Sequence, residues 1–303
     1  MRNTFINTLC ELSEKHDDIF LLCGDLGYSV LEGFAQQFPE RFLNVGIAEQ
    51  NMTQVAVGLA LEGFNVFTYS IGNFPTLRCM EQIRYDVCYH EANVKVVAIG
   101  AGYAYGPLGV SHHTTEDIAM LRSIPNMTVC APADPIEAKV VAQFMASHDG
   151  PGYVRLNKAG EACAHSETQC LELSPGKLIE VAGGRDVAVL VNGAILGSVM
   201  GDLKQSGVPW AVFSVPFVGS YDIDEIKRLG QHFSRIITVE EHQLNGGFGS
   251  SIVEAFSDLY ADSKIGHMPR IQRIAIPNQF IGVSGTQSYL RRAMGLVLPR
   301  EIL

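Results

Sequence analysis

The order of apolar and polar positions along the chain alternates between helical and strand-like segments. Apolar residues recur at helical spacing through residues 5–12, and a short apolar run at 19–23 then ends in Gly24-Asp25. The segment Val94–Ile99 is a near-continuous β-branched run of the kind that is buried on both faces of a parallel sheet. Helix, buried strand and loop repeat in this order up to residue 156, with helices predicted at Leu77–Tyr89 and Pro135–Ser147, which predicts an α/β layered fold.

The alternation stops once and then restarts. Between residues 158 and 175 the periodic apolar residues give way to Ala, Glu, Ser, Thr and His, which is typical of a linker. Beyond this stretch, apolar runs at 187–191 and 271–276 are again separated by helical segments. We therefore predict two open three-layer α/β/α domains, at residues 1–160 and 176–303, joined by a linker at 161–175.

Composition and charge limit the classes of partner. The chain has 303 residues, with 32 Asp+Glu against 22 Lys+Arg and a formal net charge of −10. Because it contains no basic run, we expect no nucleic-acid partner. An anionic substrate would have to be bound by a few placed cations, since the field of the whole molecule repels it. No apolar stretch approaches the length of a membrane span, so no membrane association is expected.

The cysteines and the N-terminus bear on the compartment. An odd number of cysteines without a C-x-x-C pair is best explained by reduced thiols. No apolar segment follows Arg2, so we expect no signal peptide and predict a cytoplasmic enzyme. No local pair of cysteines or histidines has the spacing of metal ligands, and no metal ligand is predicted in this chain. The cysteines are Cys10, Cys23, Cys79, Cys88, Cys130, Cys163 and Cys170.

The segment Asn44–Met52 is the most informative stretch of the sequence. A strand-like run gives way through Gly46 to a helix that opens with Glu49. A carboxylate is favoured at a helix N-terminus, so a lone glutamate there would be explained by local structure. Glu49, however, follows a strand, where α/β sheets build ligand crevices, and apolar residues come after it. We therefore predict a partly dry, functional carboxylate.

Three other segments carry candidate chemistry. His112 and His113 follow a glycine-rich loop, where a ligand contact and a surface pair are equally expected. The strand-like run Phe67–Phe74 ends in aromatic residues, which either stack on a flat ring or belong to the core. The loop Asn245–Ser250 opens a helix and either binds an anion or forms a close helix–strand turn.

Nearly end to end, and in the same order, the chain resembles the C-terminal half of transketolase-type enzymes, which use thiamine diphosphate. The first domain is similar to their pyrimidine-binding domain, and the second to their C-terminal domain. The segments that carry the resemblance are "NVGIAEQNM", "GDLGYS", "SHHTTEDIAMLRSIPNMTV", "PADPIEA" and "VEEHQLNGGFGSSIVEAF".

This resemblance implies roles for single residues. Glu49 matches the family glutamate that hydrogen-bonds N1′ of the cofactor's aminopyrimidine and thereby activates the cofactor. Phe74, with Tyr69 as its neighbour, falls where the family packs aromatic rings on the pyrimidine. His112 falls at the substrate-side histidine, which contacts substrate hydroxyls and assists proton transfer.

The same resemblance bears on the substrate. The positions that match phosphate contacts or lie near them are Arg2, Ser29, Arg155 and Lys158. A phosphorylated sugar is therefore expected. Two departures nevertheless put the usual transketolase substrates in doubt. Leu108 replaces an aspartate that reads a sugar hydroxyl, and Gly100 replaces a phosphate-contacting histidine.

A missing motif predicts a partner. The family's diphosphate-binding domain carries a GDG…N motif that holds Mg²⁺, and nothing in this sequence matches it. We therefore expect a split enzyme whose separate N-terminal subunit holds Mg²⁺ and the diphosphate, with thiamine diphosphate shared between chains. An α2β2 assembly follows, since in the family each cofactor lies between two chains.

Two alternatives remain at this level. The β subunit of a 2-oxoacid dehydrogenase, or a half related to deoxyxylulose-phosphate synthase, would have similar architecture but would use pyruvate as donor and release carbon dioxide. A non-catalytic scaffold subunit is the other alternative, which the substitutions at Leu108 and Gly100 support and the presence of Glu49 and His112 opposes.

Overall fold

Two α/β layers, each built on its own sheet, make up the protein. The computed structural model describes residues 1–166 and 174–298. Cys170, the middle of the predicted linker at 161–175 and the last five residues lie outside the described residues. Each sheet carries helices on both of its faces, as predicted for two open three-layer α/β/α units.

The first sheet has seven strands. Six of them come from the first half of the chain and run parallel: β1 (Ile19–Cys23), β2 (Phe42–Asn44), β3 (Asn65–Ile71), β4 (Val94–Ile99), β5 (Thr128–Cys130) and β6 (Gly152–Leu156). The seventh strand, β10 (Phe217–Val218), comes from the second half and pairs antiparallel with β5. The order across the sheet is β10-β5-β6-β4-β3-β1-β2. All six residues of β4 are buried, because helices cover both faces of the sheet.

Helices cover the first sheet on both sides. They are α1 (Arg2–Ser13), α2 (Glu32–Gln37), α3 (Glu49–Leu61), the short α4 (Met80–Gln82) with a π-helical continuation Ile83–Cys88, α5 (Asp117–Arg122) and α6 (Pro135–Ser147). On one face α1 packs on α6, and the apolar side chains of both enter one buried cluster. The side chain of Asp134 accepts hydrogen bonds from Ile136 N and Glu137 N and so caps α6, whose first residue is proline.

The second sheet has five strands. They are β7 (Ile179–Ala182), β8 (Val187–Asn192), β9 (Ala211–Ser214), β11 (Arg235–Gln243) and β12 (Arg270–Ile276). Their order is β12-β11-β8-β9-β7, and only β7 pairs antiparallel. The helices are α7 (Leu196–Ser206), α8 (Ile223–His232), α9 (Phe248–Ala261) and α10 (Gln287–Ala293). The described residues contain no helix long and apolar enough to cross a membrane.

The two layers are joined by hydrogen bonds as well as by apolar packing. Arg155 in β6 donates through Nη2 to the carbonyl oxygen of Glu241 in β11, at 3.1 Å. Arg122 at the end of α5 donates to the carbonyl oxygen of Gly246, at 3.2 Å. Together with β10, these contacts fix the edge of the first sheet against the second half of the chain.

The predicted elements agree closely with the structure where apolar runs are long. The strand predicted at Val94–Ile99 and the helix predicted at Pro135–Ser147 have these same bounds. The long helix predicted after residue 77 is instead a succession of 3-10, α and π turns over residues 77–88. That irregular start carries Arg78, which contacts the predicted site.

Candidate active site

Loops that follow the strands of the first sheet meet at its carboxyl edge. In open α/β sheets this edge is where ligand crevices form. The predicted residues on these loops are Glu49 after β2, Phe74 after β3, His112 after β4 and Lys158 after β6. The edge therefore brings together residues that are more than a hundred positions apart in the sequence.

Glu49 is the first residue of α3, and its carboxylate is almost fully covered. The residue is 2% exposed, and Oε2 accepts a hydrogen bond from Nη1 of Arg78 at 2.7 Å. On another side lies Gly24, directly after β1, where an added methyl group would lie 3.4 Å from Cγ and 3.5 Å from Oε1 of Glu49. The carboxylate is thus held between a backbone segment and an arginine side chain.

Phe74 forms the aromatic part of the site. Its half-buried ring lies 5.5 Å from the ring of His112 in an edge-to-face arrangement. The guanidinium carbon of Arg78 lies over the same ring, 4.9 Å from its centroid. Phe74, His112, Arg78 and Glu49 are therefore one connected cluster, which we call the edge cluster.

The two adjacent histidines differ in their surroundings. His112 is only partly buried, and its Nδ1 lies 3.0 Å from Oγ of Ser111. His113 is 4% exposed and packs edge-to-face on Tyr103 at 5.0 Å. Burial lowers the pKa of His113, which favours the neutral ring. His113 is therefore the more buried of the two histidines, although it also lines the cavity beside Phe74 and Arg78, and His112 is the one whose ring contacts Phe74.

Two cations flank a tyrosine near the edge cluster. Nζ of Lys158 lies 5.2 Å from the ring centroid of Tyr105, whose ring is 6.3 Å from that of His112. Burial raises the pKa of the Tyr105 hydroxyl, and the neighbouring Arg2 acts against this rise. Arg2 and Lys158 thus form a small cationic patch beside the site on a protein of negative net charge.

Tyr69 and Ser29 lie at the margin of this arrangement. Tyr69 is 1% exposed, so it lies beneath the site rather than lining it. Burial raises the pKa of its hydroxyl, and the charge of Arg2 acts in the opposite direction. The exposed Ser29 has a left-handed backbone (φ +62°) and donates its N–H to Oε1 of Glu32. Its loop approaches Tyr69 through Gly27, where an added methyl group would lie 3.2 Å from the Tyr69 ring.

Arg155, which we expected near the substrate phosphate, instead lies in a buried hydrogen-bond network. It is 3% exposed, and its Nε donates to Oδ2 of Asp117 at 2.7 Å. Nη2 donates to the carbonyl oxygens of Thr114 and Glu241, at 2.6 and 3.1 Å. Nε and Nη2 of the buried guanidinium are thus engaged by Asp117 and Thr114 of the first layer and by Glu241 of the second. A phosphate contact at Arg155 therefore has no support in this geometry.

The N–H groups at the glycine loop before α9 are bonded to the carboxylate of Glu240. The N–H groups of Phe248 and Gly249 donate to Oε2 and Oε1 of Glu240, at 2.6 and 2.7 Å. Of the two interpretations open for this loop, the structure favours close packing, because the amide groups that would bind an anion already have an acceptor.

Sequence reasoning missed Arg78 and Tyr105. Arg78 lies in a segment predicted as a regular helix, and only its distance of four residues from Phe74 offered a signal. Tyr105 lies in the glycine-rich loop after β4, where the histidines are the more conspicuous residues. Both residues contact predicted site residues only through the folding of loops that have no periodic pattern.

Comparison with known proteins identifies the family. Residues 1–160 match the pyrimidine-binding domain of transketolase, and residues 176–297 match the transketolase C-terminal domain. The chain therefore belongs to the transketolase family, and it corresponds to the C-terminal half of such an enzyme.

Several relatives are themselves separate subunits. A putative transketolase C-terminal section of Methanocaldococcus jannaschii is 35% identical over 302 residues, covering 98% of this chain and 92% of that protein. One of the subunits of the apulose-4-phosphate transketolase of Phocaeicola vulgatus is 33% identical over 85% of this chain and 83% of its own length. A solved split-gene transketolase, described as an inactive β4 tetramer, has a TM-score of 0.85 and 30% identity, covering 98% of this chain and 93% of its own.

Proposed function

We propose that this chain is the C-terminal subunit of a split, thiamine-diphosphate-dependent transketolase that transfers a two-carbon ketol unit between sugar phosphates. The observation that carries the proposal is the Glu49 carboxylate, buried at the carboxyl edge of the sheet beside Phe74 and held by the side chain of Arg78. Relatives named as transketolase subunits for apulose-4-phosphate and for 6-deoxy-6-sulfo-D-fructose support an acidic sugar as substrate.

The edge cluster fits the aminopyrimidine of the cofactor. Glu49 would accept a hydrogen bond from N1′, and Phe74 would pack on the ring, whereas Tyr69 is buried in the cluster of α1 and α6 and would not touch the cofactor. Because Gly24 has no side chain, its backbone packs directly against Glu49, and the other oxygen of the carboxylate is the one that contacts Arg78. When bound, the cofactor supplies an electron sink for the two-carbon fragment. The part of this chain is to exchange a proton with N1′ through the carboxylate of Glu49 and to exclude water around it.

The cationic patch fits the substrate. We assign binding of the sugar's phosphate to Arg2 and Lys158, and contacts with sugar hydroxyls to His112. Ser29 is placed on the neighbouring loop and would add a hydroxyl contact. Local cations are needed because the whole chain carries a net charge of −10.

The proposal includes a partner. Mg²⁺ and the diphosphate would be bound by a separate N-terminal subunit in a cytoplasmic α2β2 assembly. Two observations support a partner: the relatives named as subunits, and the exposed apolar side chains around the edge cluster, which include Leu77, Leu108 and Val110.

The test uses the assembled complex of this chain with its co-expressed N-terminal subunit. Glu49→Gln should lower kcat of ketol transfer by about 100-fold or more, since it removes a proton-transfer partner of the cofactor. The matched control is Glu62→Gln, an exposed glutamate next to the other end of α3, which should leave kcat unchanged. Full activity of the Glu49 variant, or of this chain alone, would contradict the proposal.

A second candidate function has one observation in its favour. Leu108 lies 56% exposed on the loop that leads to His112, so a polar contact with a sugar hydroxyl is missing there. 1-Deoxy-D-xylulose-5-phosphate synthase 1 of Geobacter sulfurreducens is 33% identical over 96% of this chain, which spans 45% of that enzyme. Pyruvate consumption with release of carbon dioxide, and no reaction with a ketose donor, would favour this function.

A further inference from the structure

Arg78 makes contacts that the proposed function assigns to the cofactor. Its Nη1 donates to Oε2 of Glu49 at 2.7 Å, and its guanidinium carbon lies 4.9 Å from the ring centroid of Phe74. A guanidinium is planar, donates N–H bonds to carboxylates and stacks on aromatic faces. In each of these respects it presents to Glu49 and Phe74 what an aminopyrimidine with a protonated ring nitrogen would present.

Glu49 is covered in this state, so a ligand reaches it only if a covering group moves. The side chain of Glu49 is 1% exposed. One cover is the backbone at Gly24, which follows directly on β1 and is held by the sheet. A second cover is the side chain of Arg78, which is 46% exposed. Of these two covers, Arg78 is the one that can turn into solvent.

Moving Arg78 costs little. The side chain is 46% exposed and its guanidinium is solvated by water when it turns away, and the Glu49 carboxylate, which stays buried, is paired again by the ligand that replaces Arg78. The short 3-10 turn Leu77–Cys79 carries Arg78 at an irregular helix start, and its preceding residue Thr76 is non-helical (φ −108°, ψ −84°). Rotation of the side chain into solvent needs no change in a regular element.

We propose that Arg78 is a self-ligand that occupies Glu49 and Phe74 in the free subunit and is displaced by the aminopyrimidine. This inference rests on the proposed function. The closed state lowers the apparent affinity for the cofactor in proportion to its population. It also keeps the Glu49 carboxylate paired and shielded from water before the cofactor arrives.

Arg78→Met tests the inference, because methionine keeps the apolar length of the side chain and loses its N–H donors. The matched control is Arg84→Met, since Arg84 stacks on Tyr85 at 4.7 Å in the same way and lines a different cavity. Thiamine diphosphate with Mg²⁺ is titrated calorimetrically into the assembled complex. Arg78→Met should bind the cofactor up to about fivefold more tightly, which corresponds to an ion pair of up to about 1 kcal/mol. Arg78→Lys, which keeps the charge but loses the planar stacking on Phe74, should fall between wild type and Arg78→Met.

A second readout is independent of the cofactor. In the full chain without ligand, a water-soluble carbodiimide should modify Glu49 faster in Arg78→Met than in wild type, as followed by peptide mass spectrometry. Unchanged labelling, or weaker cofactor binding by Arg78→Met with wild-type binding intact, would overturn the inference and leave the proposed function standing. If neither wild type nor variant binds thiamine diphosphate in the complex, the proposed function fails and the inference with it.

Discussion

Each layer has a buried glutamate beside the start of a helix. The two glutamates differ in the groups that donate hydrogen bonds to their carboxyl oxygens. Glu49 begins α3 at the edge of the first sheet, and Glu240 lies in β11 of the second sheet, under the start of α9. Both are at most 2% exposed. Glu240 is bonded by two backbone N–H groups, whereas Glu49 is bonded by a flexible arginine. Burial alone therefore does not separate a structural carboxylate from one that is available to a ligand.

The surroundings of Glu240 are built to keep it in place. A methyl group added at Gly247 would clash with Oε2 of Glu240, so only glycine allows the carboxylate to come this close to the helix start. Burial raises the pKa of the Glu240 carboxyl to about 7, with the bonds from Gly249 N and Phe248 N acting in the opposite direction. These donors belong to the backbone of α9 and cannot turn away, in contrast to Arg78.

The largest expected effect concerns the stability that Glu240 contributes through its backbone hydrogen bonds. Glu240→Ala should lower the free energy of unfolding by about 3 kcal/mol, because two buried N–H groups lose their acceptor and a cavity remains. Chemical denaturation at pH 8 measures this change. Asp258→Ala, at an exposed position on α9, is the control and should change stability by less than about 0.5 kcal/mol. A Glu240 variant as stable as this control would show that the bonds contribute nothing.

Asp134 extends the comparison to a third buried carboxylate. Its Oδ2 accepts from the N–H groups of Ala164 and His165 and from Nδ1 of His165, at 2.9 to 3.1 Å. Burial alone would raise the pKa of Asp134, but the bonds from the His165 ring and from backbone N–H groups lower it to about 2. Asp134 thus ties residues 164–165, in the first part of the predicted linker, to the start of α6.

The second prediction concerns the pH dependence of the stability that Asp134 contributes through its hydrogen bonds to residues 164–165. A carboxyl whose pKa falls from 3.8 to about 2 on folding contributes about 2 kcal/mol above pH 3.8. That contribution is lost as the pH falls from about 3.8 towards 2. Asp134→Asn keeps a capping oxygen for α6, so the stability gap between variant and wild type should narrow as urea unfolding is measured from pH 6 to pH 3. A gap independent of pH would refute the assignment.

The elements that could be predicted from the sequence differ from the others in what determines their structure. β4 and α6 were predictable with their bounds, because long apolar or capped segments determine their own structure. β10 was not, since a two-residue strand depends on its antiparallel pairing with β5. The alternation also gave no sign of β7 or α10, whose residues are partly exposed.

The same distinction holds within the site. Glu49 was predictable because a strand, a glycine and a helix start follow one another in the sequence. Arg155 resembled a phosphate ligand in sequence, but its partners Asp117 and Glu241 lie 38 and 86 residues away. Arg78 became visible only in three dimensions, because its contact with Glu49 spans 29 residues. Side chains whose partners are remote escape any reading of local pattern.

The third prediction tests whether the edge of the first sheet binds an anion. Arg2→Gln and Lys158→Gln should each raise KM for a phosphorylated sugar about tenfold, because each removes a charge-assisted contact of about 1.4 kcal/mol. Both should leave KM for an unphosphorylated sugar almost unchanged. Lys139→Gln, at an exposed position on α6, is the control for the loss of one positive charge. Equal effects on both sugars would remove the phosphate from the assignment.

The smallest expected effect concerns the stability that Glu49 contributes through its pair with Arg78. Glu49→Gln should change the free energy of unfolding by less than about 1 kcal/mol, since glutamine keeps the volume, still offers an oxygen to Arg78 and removes the cost of a buried charge. Glu240→Gln, which is equally isosteric, should cost about 2 kcal/mol, because its amide group would face backbone N–H donors. Chemical denaturation of the two variants, measured side by side, distinguishes a carboxylate that stabilises the fold from one that can bind a ligand without loss of stability. If Glu49→Gln destabilised the chain as much as Glu240→Gln, Glu49 would be structural, and its burial would need no ligand to explain it.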